Sequence, residues 1–142
     1  MITSTSNAQI KELAKLQKKS RLRDEKGIFL VEGPRMTEEI PAERIEKVYA
    51  SESFAKKNKE FLEKLQAPVE LLTDTVFAYV SDTKTPQGIL AVVKQQPYSF
   101  EELLGKEKAS FLLILDHLQD PGNLGTMIRT GEGLSLIHIS EP

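Results

Sequence analysis

Five short apolar runs, separated by segments with helical periodicity, constrain the fold of this chain more than any other feature. Runs of this length, bounded by Gly, Pro or polar residues, are typical of buried strands. Because strands and helical segments alternate at short spacing, the sequence predicts an α/β fold built in layers. The predicted strands are Ile28–Val31, Ile45–Ala50, Val69–Leu72, Gly88–Val93 and Phe111–Leu115.

The first helix is predicted to begin at Ser6, because Ser6 and Gln9 have the spacing of a capping box. Apolar residues then recur at helical spacing, which predicts a helix of about three turns, and the basic run continues to Gly27, a predicted helix stop. Further helices are expected to start at Pro34, which suits a first helical turn, and to cover Phe54–Leu65 and Asp74–Val80.

The composition excludes several classes of site. The 142 residues include no cysteine, which removes disulfides, thiolate metal sites and cysteine nucleophiles. Two histidines disfavour a zinc site, so we expect no metal. No window approaches the length of a transmembrane helix and no signal peptide is visible, so we expect a cytoplasmic protein.

The charge is segregated although the formal net charge is only −2. Between Lys11 and Lys26 there are seven basic residues and three acidic ones. This stretch is either a solvated amphipathic helix or a surface that faces phosphates, since clustered Lys and Arg gain affinity for nucleic acid by releasing counterions. The candidate phosphate contacts are Lys11, Lys15, Lys18, Lys19, Arg21 and Arg23.

A second domain is predicted to begin near residue 110. Lys94–Ser99 is polar, contains a proline and has no clear period, and residues 96–109 form the predicted linker. Phe111–Leu115 has no polar alternation, which is typical of a central strand covered on both faces. A loop rich in Asp, Pro, Gly and Asn follows, and then a helix. Because open α/β sheets bind ligands at the carboxyl ends of their strands, this loop is the predicted ligand site.

Arg129 is the first candidate for chemistry in that helix. Gly125 precedes it by one turn, and helical side chains lean toward the N-terminus, so the guanidinium is expected to lie over the glycine and open to a ligand. Asp116 and Asp120 form either an acid–base pair or, as is commoner for a loop Asp before Pro-Gly, a turn or cap. His117 is a weak candidate for a general base, because it has no identifiable partner.

Three spaced motifs resemble one known family. The stretch Leu115-Asp116-x-x-x-Asp120-Pro121-Gly122-Asn123-Leu124-Gly125-x-x-x-Arg129-Thr130 resembles the first signature motif of the SpoU (TrmH) RNA ribose methyltransferases, members of the knotted SPOUT class. Upstream segments resemble the small substrate-binding domain of that family: Ser4-x-x-Asn7-x-x-Ile10-Lys11, Phe29-Leu30-Val31-Glu32-Gly33-x-Arg35 and Ser81-Asp82-Thr83-x-x-Pro86-Gln87-Gly88-Ile89. The likeness covers about Ser4 to Glu132.

This resemblance implies a fold and an activity. It implies an α/β/α sandwich like that of small ribosomal RNA-binding proteins, followed by the first strand and helix of a trefoil-knot domain. The implied reaction transfers a methyl group from S-adenosylmethionine to a ribose 2′-hydroxyl of ribosomal or transfer RNA. The motif positions give Arg129 and Asn123 catalytic roles, and Arg35 becomes a further candidate for RNA contact. Full-length members of the family are homodimers.

The resemblance stops after Glu132, which sets expectations for the domains. We expect an RNA substrate-binding domain at 1–95, the linker at 96–109, and an incomplete methyltransferase domain at 110–142 in which 133–142 is a non-native tail. Such a truncated chain is expected to lack the S-adenosylmethionine pocket, to bind RNA without catalysis, to form no dimer, and to leave Phe111–Leu115 without a sheet. Two alternatives stay open: a non-catalytic RNA-binding module and a protein-interaction domain without nucleic acid.

Overall fold

The computed structural model describes residues 1–97, 99, 112–133 and 137–140, and the chain divides into two compact units, Met1–Gln96 and Pro97–Pro142. The strands of the first unit lie within one residue of their predicted bounds: β1 (Ile28–Glu32), β2 (Ile45–Ser51), β3 (Val69–Leu72) and β4 (Ile89–Lys94). Its helices are α1 (Ala8–Lys18), α2 (Ser20–Lys26), α3 (Pro34–Glu38), α4 (Glu52–Lys57), α5 (Lys59–Lys64) and α6 (Asp74–Val80), with a 3-10 turn at Ala42–Arg44.

The four strands form one mixed sheet in the order β1-β4-β2-β3. β4 lies antiparallel to both β1 and β2, whereas β2 and β3 are parallel. Ile2 extends the edge beside β3, where its N–H donates to the carbonyl of Leu71. Because β1, β2 and β3 run in the same direction, α3, α4 and α6 all begin at one end of the sheet, which we call the loop end. The opposite end, where β4 finishes at Lys94, is the linker end.

Helices cover both faces of this sheet. On one face α1 and α6 pack through Leu13 and Phe77 against Leu90 of β4. On the other face Phe54 of α4 and Phe61 of α5 pack against the strands and meet edge to face, with ring centroids 5.9 Å apart. Successive strand residues alternate between the two cores, as a pleated strand requires. The first unit is therefore the α/β/α sandwich that the resemblance implies.

The basic segment differs from the sequence prediction in its start. Asn7, not Ser6, caps α1, and its Oδ1 accepts a hydrogen bond from the Gln9 N–H at 2.9 Å. Lys19 adopts an extended conformation (φ −122°, ψ 98°), so α1 ends after 11 residues, about the predicted three turns, and the rest of the basic run forms the separate helix α2. The predicted end is confirmed, since Gly27 closes α2 with a left-handed φ of +62°.

The predicted helix Phe54–Leu65 is likewise divided. Asn58 leaves the helical region with φ −128° and separates α4 from α5. Its side-chain N–H donates to the carbonyl of Phe54 at 3.0 Å, which satisfies a carbonyl at the end of α4. An asparagine that competes for backbone groups in this way ends a helix, and apolar periodicity alone does not reveal it.

The second unit contains β5 (Leu112–Leu115), α7 (Pro121–Gly133) and β6 (Ile137–Ser140). The expectation of an unpaired strand is wrong, because β5 pairs in parallel with β6. The expectation of a central strand covered on both faces is also wrong for the described residues, since Ile114 is 68% exposed while Leu113 and Leu115 are half-buried. Most of the predicted linker and Phe111 lie outside the described residues, and the non-native tail stays a prediction.

Candidate nucleic-acid interface

A stripe of lysines runs along the outer face of α1. Lys11, Lys15 and Lys18 follow the i, i+4, i+7 spacing that places side chains on one face of a helix, and all three are exposed. The opposite face, which carries Ile10 and Leu13, is buried against the sheet. The lysines therefore take no part in the packing of the domain, and their ammonium groups are available to an anionic partner.

The junction between α1 and α2 extends this stripe. Lys19 is exposed there, and Arg21, whose side chain is 91% exposed, pairs with Glu25 one turn later at 2.9 Å. An ion pair this exposed contributes little to stability, so Arg21 can exchange its partner for a phosphate at small cost. We call Lys11, Lys15, Lys18, Lys19 and Arg21 the basic surface.

Arg23 does not share this freedom. Its guanidinium Nη1 donates to the carbonyls of Leu16 and Gln17 at 2.5 and 3.0 Å, and so satisfies two carbonyls at the end of α1. Arg23 is half-buried. Its charge alone suggests a phosphate contact, but in the structure the Arg23 side chain links α2 to the end of α1.

Two motif segments that are far apart in sequence meet at the loop end of the sheet. Glu32, at the end of β1, accepts hydrogen bonds through Oε1 from the hydroxyls of Ser81 and Thr83, at 2.7 and 2.8 Å. Its other oxygen, Oε2, is buried and has no hydrogen-bond partner among the described residues. The motif positions identified these residues individually, but only the fold shows that one carboxylate holds the 81–88 loop.

The backbone at the loop end is tightly constrained by two glycines. Gly33, with φ +107°, lies against the Gln87 side chain, and Gly88, with φ +81°, lies against Phe54. Thr37, fully buried, donates its hydroxyl to the Gly33 carbonyl at 2.8 Å and fixes the first turn of α3. Arg35 lies in that turn and is exposed, so its backbone is held in place while its side chain is accessible to solvent.

Glu32→Gln is expected to lower the free energy of unfolding by about 1–2 kcal/mol. A hydrogen bond to a charged group is worth about 1.5–3 kcal/mol, and the amide keeps one neutral acceptor in its place. Urea unfolding measures the change, and amide exchange of residues 81–88 should become faster. Glu38→Gln is the matched control, because Glu38 is exposed and makes no hydrogen bond or ion pair among the described residues. An equal, small effect of both substitutions would contradict this role of Glu32.

A further acidic contact lies at the loop end between α4 and α6. The Asp74 carboxylate accepts hydrogen bonds from the backbone N–H of Ser53, at 3.1 Å, and from its hydroxyl, at 2.5 Å. These bonds favour the ionised form and hold the pKa of Asp74 below its usual value. Asp74 thus remains charged at neutral pH and ties the start of α6 to α4.

In the second unit, Arg129 lies where the sequence predicts it. Its Nη1 is 3.9 Å from the point that a Cβ on Gly125 would occupy, so the guanidinium lies over the glycine one turn before it. Nη2 is 3.5 Å from the Thr126 hydroxyl. Arg129 and Asn123 are both exposed, and Asn123 has no side-chain partner among the described residues.

The two carboxylates of the loop before α7 make different contacts. Asp120 is a cap: its Oδ1 accepts from the Gly122 N–H at 3.0 Å, and its carbonyl accepts from the Leu124 N–H. Asp116 instead pairs with His117, with Oδ1 2.7 Å from Nδ1. The expectation that His117 has no partner is therefore wrong, although both side chains are largely exposed.

The sequence and the fold of this chain are similar to those of known proteins. The MRM3-like substrate binding domain matches residues 7–91. The 23S rRNA (guanosine(2553)-2′-O)-methyltransferase RlmP of Bacillus subtilis is 34% identical over 138 residues, which cover 95% of this chain and 51% of the relative. A solved RNA 2′-O ribose methyltransferase is 28% identical with a TM-score of 0.71, over 99% of this chain and 55% of that one. An AdoMet-bound rRNA methyltransferase from Sinorhizobium meliloti, 23% identical, has the same fold with a TM-score of 0.72, over 98% of this chain and 53% of its own.

The fold and motifs define the class first: an α/β/α substrate-binding domain joined to a strand, loop and helix that carry a methyltransferase motif. The chain belongs to the SpoU (TrmH) family, through its MRM3-like substrate binding domain. It spans about half the length of the Bacillus relative and of the two solved structures.

None of the helices among the described residues is both long enough and apolar enough to cross a membrane. Nor do the described side chains include a group of three or more His, Asp or Glu residues placed to hold a metal ion.

Proposed function

We propose that this chain is the RNA-binding part of a methyltransferase that transfers a methyl group from S-adenosylmethionine to a ribose 2′-hydroxyl of ribosomal or transfer RNA. Residues 1–96 bind the RNA, and residues 112–133 supply the first elements of the catalytic domain. Family membership supports this proposal, as do the names of the relatives, which are rRNA or RNA 2′-O-methyltransferases.

The observation that carries the RNA contact is the division of α1 into a buried apolar face and an exposed lysine face. Phosphates are the natural partners of such a face, because each neutralised phosphate releases condensed counterions. Contacts of this kind position a protein on RNA without reading its sequence. Arg35 at the loop end is a further contact, whereas Arg23 acts within the domain.

Arg129 is proposed to act on the RNA at the reacting ribose. Its guanidinium stays protonated, so it does not take the proton of the 2′-hydroxyl. Its N–H groups are suited to bind the adjacent phosphate through two hydrogen bonds and to stabilise negative charge on the 2′-oxygen. Because the guanidinium lies exposed over Gly125, its N–H groups are accessible to the RNA. Asn123, earlier in the same helix, supports the site.

The described residues of the second unit do not by themselves fit S-adenosylmethionine. When bound, that cofactor supplies an electrophilic methyl group, and it needs an enclosed pocket for its adenosyl moiety. Here residues 116–123 and 126–130 are all exposed, and the apolar Ile114, Met127 and Ile128 face outward at 68%, 39% and 38% exposure. We therefore propose that residues 1–142 bind RNA without binding the cofactor.

Calorimetry checks this part of the proposal. Titration of residues 1–142 with S-adenosylmethionine at micromolar concentrations is expected to give no heat of binding, since the exposed loop and helix of the second unit do not enclose its adenosyl moiety. The Sinorhizobium meliloti relative, solved with AdoMet bound, is the positive control. Micromolar affinity for the present chain would contradict the proposal.

Retention of RNA on the protein tests the binding function. With a labelled fragment of ribosomal RNA, the logarithm of the affinity is expected to fall linearly with the logarithm of salt between about 50 mM and about 200 mM. A protein-interaction domain would retain no RNA, and its other associations would be insensitive to salt. Either of those results would overturn the proposal.

A further inference from the structure

A groove lies between α1 and the sheet, at the linker end of the first unit. Its volume is about 310 Å³, at the lower limit of small-molecule sites, which run from about 300 to 1,000 Å³. The floor is apolar and the rim is polar. The floor consists of Leu13, Leu16, Ile28, Tyr49 and Val92, and the rim of Gln9, Glu12, Lys26, Glu46 and Lys47.

Tyr49 contributes an aromatic ring to this floor, and Lys47 covers one face of that ring. The residue is 6% exposed, and the Lys47 ammonium lies 5.3 Å from the centre of its ring. The same ammonium donates to Oε1 of Gln9 at 2.7 Å, so one side of the rim is fixed by contacts across the groove. Burial, followed by the nearby carboxylate of Glu70, raises the pKa of Tyr49, which keeps its hydroxyl protonated at neutral pH.

The rim carries charges of both signs. Lys26 forms an ion pair with Glu12, which raises the pKa of the lysine, and Glu46 is exposed with no hydrogen bond or ion pair among the described residues. The two lysines and two carboxylates of the rim cancel in formal charge, so the mouth offers a phosphate no excess of positive charge. Acceptors and donors side by side suit a neutral ligand with a mixed polar edge, and the apolar floor suits the flat apolar face of that ligand.

The groove adjoins the basic surface. Glu12 on its rim and Lys15 on the basic surface are three residues apart on α1 and so are surface neighbours. A strand of RNA whose phosphates follow the lysines therefore passes the mouth of the groove. An unstacked base has the required chemistry: flat apolar faces that pack against the apolar floor, and an edge of hydrogen-bond donors and acceptors that meets the polar rim.

We propose that this groove takes one unstacked base of the bound RNA, while the phosphates lie on the basic surface. The inference rests on the proposed function and adds a second, uncharged mode of recognition to it. RNA binding by the domain then depends on bases as well as on charge.

Methyl NMR of the 142-residue chain tests the inference with two probes of equal charge. One is a single-stranded 12-nucleotide RNA containing all four bases, and the other is an abasic oligomer of the same length. We expect both probes to shift the amide signals of the basic surface. Only the RNA, and not the abasic oligomer, is expected to shift the methyl signals of Leu13, Leu16, Ile28 and Val92. Binding of both probes with no methyl shift, or with equal methyl shifts, would overturn the inference. Failure of both to bind would overturn the proposed function itself.

A filling variant gives an independent readout. Gln9→Trp places an indole over the groove without changing any charge, and is expected to weaken binding of the 12-nucleotide RNA about tenfold, within the range for loss of one stacked base. Its affinity for the abasic oligomer should not change. Thr75→Trp, at an exposed uncharged position on α6, is the matched control and should leave both affinities unchanged. Equal affinities for Gln9→Trp and the parent chain would contradict the inference.

Discussion

Gly88→Ala is expected to lower the free energy of unfolding by about 2–5 kcal/mol, the largest effect on stability of any substitution considered. A Cβ at this position lies 2.7 Å from the Cβ of Phe54 and 2.8 Å from Oγ of Ser51. The Phe54 contact is not relieved by turning a flexible side-chain end, because its Cβ is fixed to the backbone of α4. The Ser51 Oγ can turn away only by losing the hydrogen bond that it accepts from the Phe54 N–H. Overpacking costs about 1–3 kcal/mol, and a side chain at φ +81° adds about 1–2 kcal/mol.

Gly27→Ala is the matched control for this prediction. Gly27 also has a positive φ, +62°, but nothing lies within 4 Å of the position of its Cβ. The substitution therefore carries only the conformational cost, about 1–2 kcal/mol. Urea unfolding of the two variants separates the cost of a side chain at positive φ, which both variants bear, from the cost of the close contacts, which only Gly88→Ala bears. If Gly88→Ala costs no more than Gly27→Ala, then the close approach of Gly88 to Phe54 does not constrain the domain.

The strands were predictable because each depends on a local pattern. Short apolar runs between polar or glycine-containing segments place β1 to β4 within one residue of where they lie. The layered arrangement follows from the alternation of strands and helices, since both faces of a central sheet must be covered. The position of Arg129 over Gly125 was predictable for a similar reason, because it depends only on the geometry of one helix turn.

The helix boundaries and the contacts of the polar residues were not predictable in this way. The break at Lys19 depends on a guanidinium that reaches back from Arg23 to Leu16 and Gln17. The anchoring of the 81–88 loop depends on Glu32, which is 49 residues away from Ser81. Such contacts require the fold to bring distant segments together, and no periodicity in the sequence encodes them.

The groove beside α1 belongs to the same category. Its floor joins residues of α1 with Ile28, Tyr49 and Val92 from three different strands. In the sequence these residues are simply apolar core positions, and Tyr49 has no distinguishing signal. What makes them a candidate site is that they form the floor of a groove beside α1, next to its own lysines.

Reversal of three charges on the basic surface is expected to weaken RNA binding about a hundredfold near physiological salt. The variant Lys18→Glu, Lys19→Glu, Arg21→Glu removes up to three phosphate contacts and replaces them with repulsion. Each contact contributes about 0.7 to the slope of log affinity against log salt for single-stranded RNA, so the slope should fall by about 2. Filter retention across a salt series measures both quantities.

The control variant changes the net charge equally on the opposite face of the sheet. Lys56→Glu, Lys57→Glu and Lys59→Glu reverse three lysines of α4 and α5, two of which have exposed i,i+4 partners much as Arg21 does. If RNA were held only by the overall charge of the domain, both triple variants would lose affinity alike. Because α1 and α2 lie on the other side of the sheet, we expect the control to retain most of its affinity and its full salt slope. An equal loss in both variants would show that the lysine face of α1 is not where the RNA backbone lies.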